Sequence, residues 1–237
     1  MSQLSMKKDW DARAREAPLK AIACDDGKDE AVFQASGRRD AAIVLEGVEP
    51  LLAARERVLE IGCGVGRLLE PLTANFRSVH GVDVSGEMVR QGHARMVHLP
   101  QVQLLEVDGS GTLPFADGSF DFCFSYITFH HIPDKRVVHA YLAEAFRILK
   151  PGGIFRFHTF GRLEGFWQTV RESLTRKSTW RGAKYTEREA IAMTRQAGFE
   201  VVETRYVNPT PGQPPPFFGK SQPHNIWVTA RKPAHGG

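Results

Sequence analysis

Apolar residues recur at two spacings along this chain, and the switch from one to the other marks out its elements. Residues 3–17 read as a helical lead-in, followed by an acidic, turn-prone stretch, DDGKDE at 25–30. From residue 38 apolar positions return at helical spacing: Ile43, Gly47 and Leu51, with Val44, Val48 and Leu52 beside them. The period then changes. A short apolar run over 57–61 ends at Gly62, as a buried strand does, and 67–74 resume as a helix. A second strand is predicted over 78–83, with Ser85 as the N-cap of a helix reaching about Met96. A third strand covers 102–107 and a fourth 120–127. The helix predicted over 134–149 carries Val137, Val138, Tyr141, Leu142, Ala145 and Phe146 on its apolar side. A turn, Lys150-Pro151-Gly152-Gly153, then leads into a fifth strand over 154–159. Strands alternating with helices predict a parallel, doubly wound α/β sheet.

The tail differs. Thr186 to Glu189 reads TERE, a capping box that opens a helix, and Gly198 stands where the C-cap belongs. Two further strands are expected over 201–207 and 226–230. Between them lie 18 residues holding six prolines, which rules out strand or helix there. With 237 residues, 42% of them hydrophobic, the chain is expected to form a single domain.

The informative segment is VLEIGCGVGRLL at 58–69. A strand runs into Gly62, Cys63, Gly64 and Gly66 and then opens a helix. Glycine permits the tight turn and lets backbone approach a ligand with no Cβ in the way, and the helix start beyond offers free N–H groups. A dinucleotide fingerprint wants Gly or Ala at position 67, where this chain has Arg67, so a nicotinamide cofactor is disfavoured. Asp83 stands at the end of the second strand, where a carboxylate can accept two hydrogen bonds from a ribose diol. Asp108-Gly109 follows the third strand, suited to an adenine amino group and ring, although an Asp-Gly pair is by itself simply a turn.

Taken together, VLEIGCGVG, HGVDVS (80–85), VDGSGTLPFADGSFDFCFS (107–125), HHIPD (130–134) and ILKPGG (148–153) resemble the class I methyltransferases that use S-adenosylmethionine (SAM). The likeness is greatest to the type 11 branch, which includes the ubiquinone and menaquinone biosynthesis enzymes, and it covers about residues 55–160. The resemblance implies a Rossmann-like sheet of seven strands, mostly parallel, with an antiparallel last strand inserted beside the sixth and helices on both faces. It implies that Glu60 and the loop Gly62–Gly66 hold the methionine end of SAM. Asp83 would take the ribose, Val84 and Met88 the adenine face, and Asp108 and Gly109 the adenine edge. Ser125 would lie under the sulfonium, and the product would be S-adenosylhomocysteine (SAH).

Methyl transfer from a sulfonium is an in-line displacement on an activated donor, so positioning and exclusion of water carry much of it. An oxygen acceptor of high pKa also needs a base. His130 and His131, just beyond the fourth strand, are the candidates, His130 ahead of His131, with His158 behind both. The plainer reading is that one of the pair stacks on a ligand and the other packs into the next helix.

Composition narrows the remaining choices. The formal charge of +4 does not by itself argue for nucleic acid. Segment 160–185 carries six basic residues against Glu164 and Glu172, which keeps an RNA-modifying enzyme as an alternative, beside a non-catalytic SAM-binding scaffold. A solvated helix face explains the same charges. Ser125-Tyr126-Ile127-Thr128 is not the Asn/Asp-Pro-Pro-Tyr/Phe box of many N-methyltransferases. No carboxylate cluster indicates a metal. Cys24, Cys63 and Cys123 form no CxxC pair, and no secretory or membrane segment is read, so a reduced, cytoplasmic setting is the expectation. Substrate choice is assigned to the parts outside the resemblance: Trp10 in the lead-in, Trp167 and Arg181 in 160–185, and the loop 208–225. Aromatic walls with a few basic groups suit a small-molecule acceptor that is planar or anionic.

Overall fold

The structure, a computed structural model, describes residues 3–23, 29–161, 182–207 and 225–234. Three helices come first: α1 (Gln3–Glu16), α2 (Pro18–Ala23) and α3 (Glu30–Leu45). Asp29 accepts the N–H groups of Ala31 and Val32 and so caps α3. The end of the acidic stretch therefore starts a helix instead of completing a turn. The buried row of this region is Gly37, Ala41, Val44 and Val48, whereas Ile43 is 37% exposed. Gly47, at φ 72°, ends the helical path, so only half of the expected stripe faces inward.

The sheet is built from β1 (Arg57–Ile61), β2 (Ser78–Asp83), β3 (Val102–Glu106), β4 (Phe120–Ser125), β5 (Leu149–Gly161), β6 (Lys184–Tyr185), β7 (Glu200–Val207) and β8 (Asn225–Arg231). Between them run α4 (Leu69–Leu72), α5 (Gly86–Arg95), α6 (Lys135–Ile148) and α7 (Glu187–Gln196). The strand order is β3-β2-β1-β4-β5-β8-β7, with the short β6 beside β5. All pairs are parallel except those of β8, which runs antiparallel to both β5 and β7. This is the expected Rossmann-like arrangement with its last strand inserted, plus one two-residue strand that no periodicity announces.

Two elements differ from expectation. The helix expected over 67–74 is confined to Leu69–Leu72. A helix begun at Arg67 would need the N–H of residue 71, which is Pro71 and has none, and Gly66 at φ 84° keeps the chain in turns up to Leu68. The turn expected at 150–153 is absorbed into β5. Gly152 N–H donates to Lys232 O at 2.9 Å and Lys232 N–H to Gly153 O at 2.9 Å, so these residues pair with the chain leaving β8.

Helices cover both faces. On one, Val138, Tyr141, Leu142, Ala145 and Ile148 of α6 pack with Leu59, Ile61, Phe155 and Phe157. On the other, Ala41, Val44 and Leu45 of α3 meet Val58, Phe122, Phe124 and Trp227. A smaller cluster of Ala14, Phe33, Val65 and Met88 ties the lead-in helices to the loop after β1. Among the described residues no helix is long and apolar enough to cross a membrane.

Candidate functional site

The strand order reverses between β1 and β4, because β1 has β2 on one side and β4 on the other. Loops leaving the C-terminal ends of these two strands diverge and leave a crevice, the place where open α/β sheets take ligands. A cleft of about 890 Å³, partly open to solvent, lies there. Its lining includes Glu60, Gly62, Cys63, Gly64, Asp83, Val84 and Met88 of the expected cofactor residues, together with His131 and Trp10.

The glycine loop is shaped by its contacts. The N–H groups of Gly62 and Cys63 both donate to Val82 O, at 2.7 and 3.0 Å, and turn the chain away from the sheet. Gly62 has φ 82°, and a Cβ there would run into the side chain of Thr128 from the loop after β4. Asp83 braces the same loop: its carboxylate accepts from Gly64 N–H at 2.8 Å and from Ser85 N–H at 2.8 Å. Burial raises the Asp83 pKa, and those two backbone donors oppose the rise.

Glu60 stands on the cleft floor, 3% exposed, with its Oε2 unpartnered. Burial pushes its pKa up to about 8, despite the opposing pull of the Arg67 guanidinium. Arg67 also lines the cleft and is held from behind. Its Nη1 donates to Asp40 at 2.6 Å and to Ser36 at 3.2 Å, both on α3. A neutral carboxyl beside a fixed guanidinium forms one polar end of the cleft.

Four of the expected residues stand elsewhere. Gly66 and Ser125 do not line the cleft; Ser125 is fully buried and donates to Ile61 O at 3.1 Å. Asp108 is exposed and caps the N–H of Ser110 at 2.8 Å, while Gly109, at φ 78°, backs onto Val84 and Met6. Trp167 and Arg181 lie outside the described residues, as do most of the basic stretch and nearly all of the proline loop.

The histidines divide. His131 lines the cleft and meets the edge of Trp10 with ring centroids 5.2 Å apart. His130 is 4% exposed, stacks on Phe160 at 4.0 Å and lies behind His131, with 3.0 Å between their Nε2 atoms. The order in which the sequence ranks them is thus reversed for access to the cleft. Burial holds the His130 pKa well below the ordinary histidine value. Among the described residues, Ile127 alone combines a side chain with positive φ, at 55°. A β-branched residue there marks strain beside the site.

Of the roof of the cleft the sequence showed only Trp10; Met6, Ala21 and Ile22 were missed. Met6 and Trp10 of α1 and Ala21 and Ile22 of α2 lie over it, and Ile22 comes within contact distance of where a Gly64 Cβ would stand. Asp11 fixes α1 by accepting from Ser85 Oγ at 2.6 Å and from Glu87 N–H at 3.2 Å at the start of α5. Arg67 carried a signal in the sequence, but only as the residue that broke a dinucleotide pattern. Among the described residues no group of three or more His, Cys, Asp or Glu is placed to hold a metal ion.

A doubly wound sheet with a glycine loop at its switch point, an acidic residue ending β2 and an antiparallel β8 inserted beside β5 is a fold shared with solved SAM-dependent methyltransferases. Residues 59–157 match the family described as Methyltransferase domain. The chain is 34% identical over 112 residues to 27-O-demethylrifamycin SV methyltransferase of Amycolatopsis mediterranei, which covers 46% of this chain and 40% of that protein. It is 30% identical over 166 residues to a malonyl-acyl-carrier-protein O-methyltransferase of Geobacter sulfurreducens, covering 67% of this chain and 59% of that one. It therefore spans less than two thirds of the length of either relative. Among solved structures, geranyl diphosphate methyltransferase in complex with GPP and sinefungin shares the fold at TM-score 0.69 and 14% identity, over 97% of this chain and 99% of that one. The cyclase SpnF does so at TM-score 0.70 and 17% identity, over 99% and 98%.

Proposed function

We propose that this protein transfers a methyl group from SAM to a small-molecule acceptor in the cleft between the β1 and β4 loops. The observation that carries the reading is Glu60: a buried carboxyl with one oxygen unpartnered, beside a loop in which Thr128 leaves no room for a Cβ at Gly62. Such a group awaits a cationic partner, and the α-ammonium of SAM is one. The residues present fit the cofactor. Glu60, Gly62, Cys63 and Gly64 would hold its methionine end, Asp83 the ribose, and Val84 and Met88 the adenine face; Asp108 and Gly109, which do not line the cleft, are kept at the adenine edge on the sequence alone. Bound there, SAM supplies a methyl group already activated by its sulfonium. Ser125 keeps its position at the end of β4 through Ile61 O, below the reacting centre in this reading.

The roof of α1 and α2 excludes water, and Trp10 closes the acceptor side. His131, which reaches the cleft, is the residue placed to take an acceptor proton, and His130 acts through it. Trp167 and Arg181 are retained as acceptor-side residues on the sequence alone, for a planar acceptor. Calorimetric titration tests the reading. SAM and SAH are expected to bind and NAD not, and Asp83→Ala is expected to weaken SAH by tenfold or more, since unpaired ribose hydroxyls cost about 1–3 kcal/mol. His131→Ala is expected to lower kcat by roughly 10²–10⁴ with SAH affinity kept. Unchanged SAH affinity in a folded Asp83→Ala protein removes the ribose assignment.

A further inference from the structure

Arg67 lines the cleft, yet the methyl-transfer reading gives its guanidinium no task. The residue is 9% exposed and seated against α3. A Cβ on Gly37 of α3 would run into Arg67 O and crowd its Cγ, so glycine there lets the helix close on this residue. From the same helix, Asp40 and Ser36 accept from Nη1 at 2.6 and 3.2 Å. The Tyr126 ring, also in the lining, has its centroid 6.0 Å from the guanidinium carbon. A side chain held in this way has little freedom left to lose when a ligand arrives.

Its bonding is incomplete. Among the described residues Nη1 is the only guanidinium nitrogen with a hydrogen-bond partner. Nε and Nη2 keep their donors, and neither is a buried orphan as Glu60 Oε2 is. Asp40 does not serve Arg67 alone. Its other oxygen accepts from Arg39 Nε at 2.9 Å, so one carboxylate is divided between two guanidinium groups. Glu60 lies within electrostatic reach, since the Arg67 guanidinium draws its pKa down against burial. This end of the cleft therefore sets an acidic group short of a cation beside a basic group with donors to spare. A lone anion would satisfy Arg67 and leave Glu60 unpartnered. A ligand with ammonium and carboxylate on one carbon satisfies both, and the methionine end of SAM is such a ligand. A donor without the carboxylate would bring a cation toward Arg67 and no acceptor for it.

We propose that Arg67 is a specificity-determining residue that grips the α-carboxylate of SAM and selects against the decarboxylated form of the cofactor, with Asp40 and Ser36 as positioning residues. The inference rests on the methyl-transfer reading above and names how its cleft chooses its cofactor. The probes are SAH and decarboxylated SAH, which keeps the ammonium and the sulfur and lacks only the carboxylate. Calorimetric titration of the full chain is expected to show SAH binding at least tenfold tighter. In Arg67→Met the gap is expected to close to within twofold, through weaker SAH and undiminished binding of decarboxylated SAH. Arg67→Lys keeps a cation and is expected to retain a preference of threefold or more. The ratio is read within each protein, so a general loosening of the loop, which weakens both ligands alike, does not imitate the result. If Arg67→Met does not fold, its combination with Asp40→Leu leaves neither member of the buried pair unpaired and is expected to give the same ratio. Equal binding of the two ligands by the parent overturns the proposal. A gap that survives in Arg67→Met also overturns it, gives the carboxylate to other groups and leaves Arg67 as a strut for α3. Failure of both ligands to bind strikes the underlying reading; SAH binding without preference strikes this one alone.

Discussion

Glu60 carries a proton that the folded protein holds and the unfolded chain does not. Its pKa rises from the ordinary 4.5 to about 8 through burial. Between those values the folded state binds more protons than the unfolded state, so this group's contribution makes stability fall as pH rises, and most of the loss is complete above about pH 8. Glu60→Gln removes that dependence. Its Tm is expected to exceed the parent's at pH 8 and to converge with it near pH 4, while SAH affinity drops by tenfold or more. SAM binding at pH 7 is expected to release close to one proton, read from calorimetry in buffers of different ionisation enthalpy. Equal heats in all buffers would show that Glu60 is already ionised or that the ammonium is held elsewhere.

At the level of elements, Gly62 answers to two constraints that can be separated. Its φ of 82° penalises any L side chain, and Thr128 fills the space where a Cβ would go. Gly62→Ala is expected to cost about 1 kcal/mol or more in stability and to abolish measurable SAH binding. Gly62→Ala combined with Thr128→Gly relieves only the clash, because Cγ2, Oγ1 and Cβ of Thr128 all lie within 2.7 Å of the added Cβ, and a partial recovery of Tm relative to Thr128→Gly alone would apportion the two. Full recovery would mean that the backbone angle is not a constraint. This loop was legible in the sequence because glycine is read directly as conformation, and so were the cap residues Ser85 and Thr186, whose side chains bond the N–H groups of Met88 and Glu189. Less was legible where partners come from afar. Nothing local told that 150–153 would pair beyond β8, or that the two residues of β6 would join β5. His130 and His131 are adjacent in sequence and chemically alike, and only the short helical turn at Phe129–His131 turns one into the cleft and the other into the core.

For the molecule as a whole, cofactor retention depends on how the lead-in helices are tethered to the sheet domain. Asp11 bonds to Ser85 and to the start of α5, and Gln91 reaches back to Ala14 O at 2.9 Å. Met6, Trp10 and Ile22 then lie over the ligand cleft. Asp11→Ala is expected to speed SAH dissociation about tenfold while the amides of β1 and β4 keep their hydrogen-exchange protection. Unchanged dissociation would show that α1 is anchored by its apolar contacts alone. The position of β8 has a consequence for how the chain is made. Among the described residues it is the last strand in sequence, yet it fills the slot between β5 and β7. Until residues 225–231 emerge from the ribosome, both neighbours offer open hydrogen-bonding edges to any passing strand. The nascent protein thus carries an unfinished seam through the middle of its sheet, and the half that holds the cleft can be assembled well before the molecule is safe from aggregation.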